Sequence, residues 1–267
     1  MLDKMILGRY IQGDSFIHNL DPRTKLLATF YFILVVFFAN NWLAYAFLVV
    51  TALLLVFLSQ ISLSFFLKGI RPMIWLILFT VCFQILFSTG GQVYFQWGPL
   101  AVTSEGVQAG IYIFLRLVLI IVFSTLMTLT TAPLELTDGI EHMLRPLARL
   151  GFPSHEIALM LSIALRYVPT LMDEATKIMN AQRSRGVDFN EGSFMDRIKA
   201  IVPILIPLFV SAFNRAEEMA NAMEARGYKG GQGRSKYRQL AYSRLDLYAL
   251  LGLVVVTIGM VATRWIG

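Results

Sequence analysis

The chain has 267 residues, 57% hydrophobic and only 15% charged, with a mean hydropathy of +0.64, whereas a soluble domain runs nearer about 45–50% apolar and about 25% charged. That excludes an ordinary water-soluble enzyme, and 20 Phe, 12 Met, 10 Tyr and 4 Trp exclude a disordered chain. The formal charge of +6 reports loop placement in a membrane protein, not a nucleic-acid partner. One cysteine, Cys82, cannot form an internal disulfide, and His18, His142 and His155 have no metal-ligand spacing, so neither metal nor redox cofactor is expected.

A span needs about 20 mostly apolar residues, and five uncharged or nearly uncharged runs, read with their flanks, are the candidates in chain order. Asp21-Pro22 opens the first, with Asp as N-cap and Pro at the first helical position. Arg23 and Lys25 then anchor it at the inner surface, and Leu26–Ala39 forms its apolar body. Asn40-Asn41-Trp42 reads as a tight hairpin into the second run, Leu43–Ser59. Lys68 and Arg71 precede the third, Met73–Ser88, where Gln84 reads as bonding a neighbouring helix. The fourth, Val107–Thr131, carries Arg116 about 15 Å along a helix. An intramembrane charge is a functional candidate, unless it snorkels to the surface. Leu245–Ala262 is the fifth.

Positive charge in short loops stays cytoplasmic. Lys4, Arg9, Arg23 and Lys25 before the first run, and Lys68 and Arg71 after the second, put both ends of that hairpin inside. Thr89–Gly106 holds no Lys or Arg and reads as outside. Residues 133–244 hold 15 of the 23 basic and 12 of the 17 acidic residues, a cytoplasmic composition. The reading is an all-α integral membrane protein with about five transmembrane helices. Residues 1–131 form a four-helix membrane domain, 132–244 a cytoplasmic helical domain and 245–267 the last span. The N-terminus is cytoplasmic and the C-terminus outside.

Two long helices are predicted in the cytoplasmic part. The first follows Pro153 with Ser154 as N-cap and Glu156 in its first turn. Ile157, Met160, Ala164, Tyr167, Leu171, Ala175 and Ile178 make one apolar face. The second opens at Ser193-Phe-Met-Asp196, a capping-box pattern, with Ile198, Val202, Leu205, Phe209 and Phe213 on its apolar face. Ala200–Phe213 is uncharged for 14 residues, about 21 Å of helix, which is short for a crossing. Pro203 and Pro207 are expected to bend it.

Both helices end alike. Asn180-Ala-Gln-Arg-Ser184-Arg185-Gly186 and Asn221-Ala-Met-Glu-Ala225-Arg226-Gly227 stand 41 residues apart. Capping alone explains Gly after the last turn and Arg within it. It does not explain agreement at Asn, Ala and the small residue. A small residue before Arg frees the guanidinium to project into a groove, where its planar fork binds carboxylates or carbonyls. Two copies imply two grooves, hence a partner that is a dimer or a pair of homologous subunits.

With Leu20-Asp-Pro-Arg-Thr-Lys25, Thr131-Ala-Pro-Leu-Glu-Leu136, Arg166-Tyr-Val-Pro169 and the paired small-Arg-Gly endings, the chain resembles the transmembrane T component of energy-coupling factor transporters, the EcfT/CbiQ-like family. The family's two Ala-Arg-Gly motifs map onto Ser184-Arg185-Gly186 and Ala225-Arg226-Gly227, the first departing by Ser for Ala. The resemblance implies a non-catalytic subunit of a prokaryotic plasma-membrane importer. Each arginine would insert into one of two cytosolic ABC ATPase subunits, which bind the ATP. The lipid-embedded part would grip an exchangeable substrate-binding S component for vitamin or micronutrient uptake. A dedicated cobalt or nickel version is the nearest alternative. The sequence has no G-x-x-x-x-G-K-[ST] phosphate loop, nucleophile elbow or H-E-x-x-H motif of its own. A stand-alone permease or channel would need a polar route through the spans, for which Arg116 and Gln84 are thin material.

Overall fold

The computed structural model describes residues 10–88, 90–97, 100–146, 153–189, 193–230 and 240–266. Lys4 and Arg9 of the predicted inner flank, Thr89 of the predicted outer loop and the basic residues Arg234, Lys236 and Arg238 lie outside them. The protein is an all-α membrane protein with, among the described residues, one small hairpin. Its helices are α1 (Pro22–Phe38), α2 (Trp42–Leu58), α3 (Leu63–Ile70), α4 (Ile74–Phe87), α5 (Ser104–Thr130), α6 (Pro133–Leu144), α7 (Ser154–Ser184), α8 (Phe194–Ala225) and α9 (Arg244–Ile266).

Local chemistry starts the helices where the sequence says. The Asp21 carboxylate accepts from the Arg23 amide and Pro22 takes the first position of α1. In α8 the Ser193 hydroxyl accepts from the Asp196 amide while the Asp196 carboxylate accepts from the Ser193 amide, a complete capping box. For α7 the N-cap is Pro153, not Ser154, which is already helical.

Among the described residues four stretches are long and apolar enough to cross a membrane: Leu63–Phe87, Ser104–Thr130, Ile198–Ala225 and Arg244–Trp265. α2 is a shorter apolar helix, and α1 carries no charged residue after Lys25. Two sequence expectations change in extent. The third span starts ten residues early, because α3, a 3-10 turn at Arg71–Met73 and α4 follow one another without a loop. Lys68 and Arg71 interrupt the apolar run but not the helical path. The apolar stretch Ala200–Phe213, expected to be short for a crossing, lies inside the long helix predicted from Ser193 onward, and Ile198–Ala225 of that helix is long and apolar enough to cross. The loop read as outside for its lack of Lys and Arg contains an antiparallel hairpin, Val93–Trp97 with Leu100–Thr103, pairing Val93 with Thr103 and Phe95 with Val102.

Two compact units divide the chain, residues 1–139 with 239–267, and residues 140–238. In the first, α5 touches α1, α2, α3 and α4. Phe32 and Phe123 stack with ring centres 4.6 Å apart, beside buried Val36, Tyr45, Leu48 and Leu119. Helices approach closely where a side chain is missing. A Cβ on Gly110 would stand 2.7 Å from Ile85 Cγ1 of α4, and one on Gly259 of α9 2.6 Å from Phe47 Cζ of α2, the small-residue contact that lets helices pack without a hydrophobic drive. Phe30, Phe57, Trp75 and Trp265 point outward, as apolar side chains do where lipid is the solvent. The second unit is built from α7 and α8, which pack on each other.

Candidate functional site

The candidate site is the pair of helix endings in the second unit. α7 ends at Ser184 and α8 at Ala225, so Arg185 and Arg226 are the C-cap residues, with nearly identical backbones: φ −89°, ψ 5° and φ −86°, ψ 5°. The bonds that follow also match. The Gly186 amide donates to Arg183 O at 2.9 Å and Val187 N to Gln182 O at 3.1 Å; Gly227 N donates to Glu224 O at 2.8 Å and Tyr228 N to Met223 O at 3.0 Å. Both are Schellman motifs, which turn the chain off the helix axis while satisfying the last carbonyls. They require the left-handed φ of +89° at Gly186 and +72° at Gly227. No atom stands within 4 Å of where either glycine's Cβ would be, so backbone geometry and not crowding selects glycine.

Ser184, Arg185, Gly186, Ala225, Arg226 and Gly227 are all exposed. With the chain turned away, each arginine is left exposed at the end of its helix. The copies differ in detail. Ser184 Oγ donates back to Asn180 O at 3.2 Å, and Arg183 lies 5.8 Å from the Phe189 ring centre. Ala225 has no hydroxyl for such a bond, and Glu224 replaces the cation.

Farther back, Arg215 Nη2 of α8 bonds Glu174 Oε2 of α7 at 3.2 Å. The first half of α7 faces the end of α8 across a groove of about 600 Å³, lined by Leu159, Ile163, Met219 and Met223 and ringed by Arg166, Arg226 and Lys229. Its described lining carries three cations and no carboxylate, which makes the local field positive. Lys229 and the Glu174–Arg215 pair belong to no motif predicted from the sequence. A signal for the pair was present, since its members are 41 residues apart, as are the two arginine tips.

Arg116 lies in the other unit. Its Nη2 donates to Tyr45 Oη at 3.0 Å and reaches Ala39 O at 3.5 Å, and its guanidinium stands 5.5 Å from the Phe37 ring centre. Ala39 is the C-cap of α1, so this cation answers the negative end of that helix. His155 Nδ1 meets Glu141 Oε1 at 3.2 Å, packing α6 to α7 inside the second unit. Among the described residues no three His, Cys, Asp or Glu side chains converge to hold a metal.

A family model described as CbiQ, cobalt transport protein, matches residues 13–237. Similar proteins include energy-coupling factor transporter transmembrane protein EcfT 1 of Listeria monocytogenes serotype 1/2a, 55% identical over 264 residues and covering 99% of both chains. EcfT of Lacticaseibacillus paracasei is 58% identical over 256 residues, 96% of this chain and 97% of that one. EcfT of Bacillus subtilis is 52% identical over 255 residues, 96% of each.

Proposed function

This chain belongs to the CbiQ/EcfT family of energy-coupling factor transporter transmembrane proteins, and on that footing we propose that it couples two cytosolic ABC ATPases to a membrane-embedded, substrate-binding S component. The observation that carries the reading is the duplicated ending. Two helices present an exposed arginine on the same Schellman frame, as docking onto two homologous grooves requires. A planar guanidinium at a rigid helix tip suits acceptors such as carboxylates and carbonyls. Nucleotide-driven movement of the ATPases displaces Arg185 and Arg226, and α7 and α8 carry the displacement. The chain catalyses no reaction; ATP is bound and hydrolysed by the partners.

Ile201, Leu205, Ile206, Phe209, Val210 and Phe213 of α8 are exposed. An apolar surface of that size supports a lipid or membrane-embedded partner. The charge distribution supports a plasma-membrane protein with a cytoplasmic N-terminus, cytoplasmic α7 and α8, and an outside C-terminus. In a Cys82→Ser background, cysteines placed at Asn41 and Gln92 then react with an impermeant thiol reagent from outside the cell, and one at Asp188 only after permeabilisation.

The test of function is Arg185→Glu with Arg226→Glu. The double variant is expected to lose uptake and to release the ATPases on purification through a tag on this chain. Each single variant is milder, because two docking points raise effective concentration. Retained uptake and assembly in the double variant overturns the reading. Mass spectrometry of the co-purified subunits tells a shared vitamin module from a dedicated cobalt or nickel transporter; of these cargoes the matched family's description names cobalt.

A further inference from the structure

The first turn of α1 holds charges that the sequence placed at the membrane surface, yet Arg23 and Lys25 are only 7% and 5% exposed. A buried cation is costly unless its donors are taken, so what takes them identifies its role. Lys25 Nζ donates to Thr130 O at 2.8 Å and to His18 O at 2.8 Å. Arg23 Nη2 donates to Leu240 O at 2.8 Å, and its guanidinium lies 4.9 Å from the Tyr242 ring centre. The Asp21 amide donates to Asp246 Oδ1 at 2.8 Å, and the other oxygen of that carboxylate takes the Ser243 amide at 2.7 Å and hydroxyl at 2.8 Å.

These acceptors have a common place in the chain. Thr130 ends α5, after which the chain leaves through α6 for the second unit at residue 140. Leu240 is the second residue after the chain returns to the first unit at 239. The two units are joined by two stretches of chain, and both are gripped within the first unit by side chains of one helical turn. Gly139, the last residue before the boundary, lies on that turn too: a Cβ there would stand 2.9 Å from Leu26 Cδ1 and 3.4 Å from Pro22 Cβ.

We propose that Arg23 and Lys25 are positioning residues for coupling. They clamp both chain connections to the start of α1, so that displacement of the α7–α8 unit is delivered to the membrane helices instead of being absorbed by slack in the connections. The proposal rests on the coupling reading above. The physical reason is stiffness: a connection whose carbonyl is fixed by a buried charged donor, a hydrogen bond stronger than a neutral one, cannot relax locally without leaving that buried donor short of an acceptor. Asp246 completes the device. It caps α9 through Ser243 and ties that cap to the Asp21 amide, so the start of the last helix moves with the start of the first.

The test uses the whole complex, isolated through a tag on this chain and embedded in lipid nanodiscs, with backbone deuterium exchange compared in ADP and in ATP plus vanadate. In the wild type, nucleotide is expected to alter exchange in both units. In Arg23→Gln and in Lys25→Met the change at the ends of α7 and α8 persists, while the change in α1 and residues 240–250 falls by about fivefold or more, the lower range of ordinary site-to-site coupling. Arg23→Lys keeps the buried charge and restores part of the response, which guards against a variant that merely misfolds. Undiminished transmission to α1 and residues 240–250 in the Gln and Met variants overturns the proposal. A wild-type complex with no nucleotide response at α7 and α8 overturns the coupling reading instead.

Discussion

Glu174 and Arg215, whose side chains meet at 3.2 Å, occupy equivalent positions in the two copies of the duplicated ending. They are 41 residues apart, as are Arg185 and Arg226, and each stands 11 residues before its own arginine (185 − 174 and 226 − 215). The copies also agree at Ala175 and Ala216. The pair therefore joins two arms of equal length, each about 16 Å of helix, at corresponding points. Equal arms give the two tips equal displacement for a given tilt about the junction, which suits a partner made of two like subunits.

If the pair registers the arms, a charge reversal at one side harms and a swap repairs. Glu174→Arg or Arg215→Glu alone sets like charges together at the contact and is expected to weaken ATPase co-purification and uptake. The swap, Glu174→Arg with Arg215→Glu, restores both in large part. Each side chain is about a quarter to a third exposed (27% and 32%), so the stability term is only about 0.5–1 kcal/mol. Function is the more sensitive readout. A swap no better than the single variants refutes the registration.

The glycines make a sharper separation between backbone and contact. Gly186→Ala and Gly227→Ala force a β-carbon into a left-handed φ, a cost of about 1 kcal/mol, with no collision to add. Asn, which tolerates that region, is expected to cost less than Ala. Hydrogen exchange at the Val187 and Tyr228 amides, the outer bonds of the two Schellman turns, measures the loss directly. Equal protection in Ala and wild type would show that the turns do not depend on glycine.

What was legible in the sequence was local, and what was not depended on partners far along the chain. The caps at Asp21 and Ser193 and the Arg-Gly endings involve residues within about five positions, so pattern alone carries them. Lys25 looked like a surface anchor because its acceptor at Thr130 is 105 residues away, and Arg23 because Leu240 is 217 away. Arg116 could be placed at membrane depth but not paired, since Tyr45 is 71 residues off. The hairpin at Val93–Trp97 and Leu100–Thr103 leaves no mark in the charge pattern, which tells only on which side that loop lies. The docking role of the six motif residues came from their repetition and the family resemblance; the geometry adds their shared frame and exposure.

His18 sets a pH dependence outside the spans. Its Nδ1 meets Ser15 Oγ at 2.7 Å and its Nε2 meets Ile11 O at 3.0 Å, an arrangement that one neutral tautomer satisfies, with Nε2–H donating and Nδ1 accepting. Burial, opposed by the Ile11 bond and helped by the Lys25 charge, holds its pKa below the ordinary 6.5. The unfolded segment therefore takes up a proton before the folded one does. Stability of the segment is flat above about pH 7 and falls as pH drops through 6.5 toward the lowered value. Proteolytic susceptibility of residues 10–21 is expected to rise over that interval in the wild type and to stay level in His18→Gln. The same rise in the variant assigns the effect to another group.

Arg116 separates a packing role from a transport role in one variant series. Its guanidinium serves the Ala39 carbonyl at the end of α1 and the Tyr45 hydroxyl at the start of α2, so it pins both sides of the α1–α2 hairpin to α5. Tyr45 is 1% exposed, and Arg116→Met leaves its hydroxyl and the Ala39 carbonyl without this donor, a cost of about 1–3 kcal/mol. Arg116→Lys keeps one donor and the charge and is expected to fall between. Tyr45→Phe should cost less than Arg116→Met, and the double variant less than the sum of the two, because both remove the same bond. Thermal unfolding in detergent reads these differences, and uptake per assembled complex is expected to stay near wild type throughout. Unchanged stability with abolished uptake in Arg116→Met would instead place the cation on the transport path or at a partner contact, since loss of a hairpin brace acts on folding before it acts on turnover.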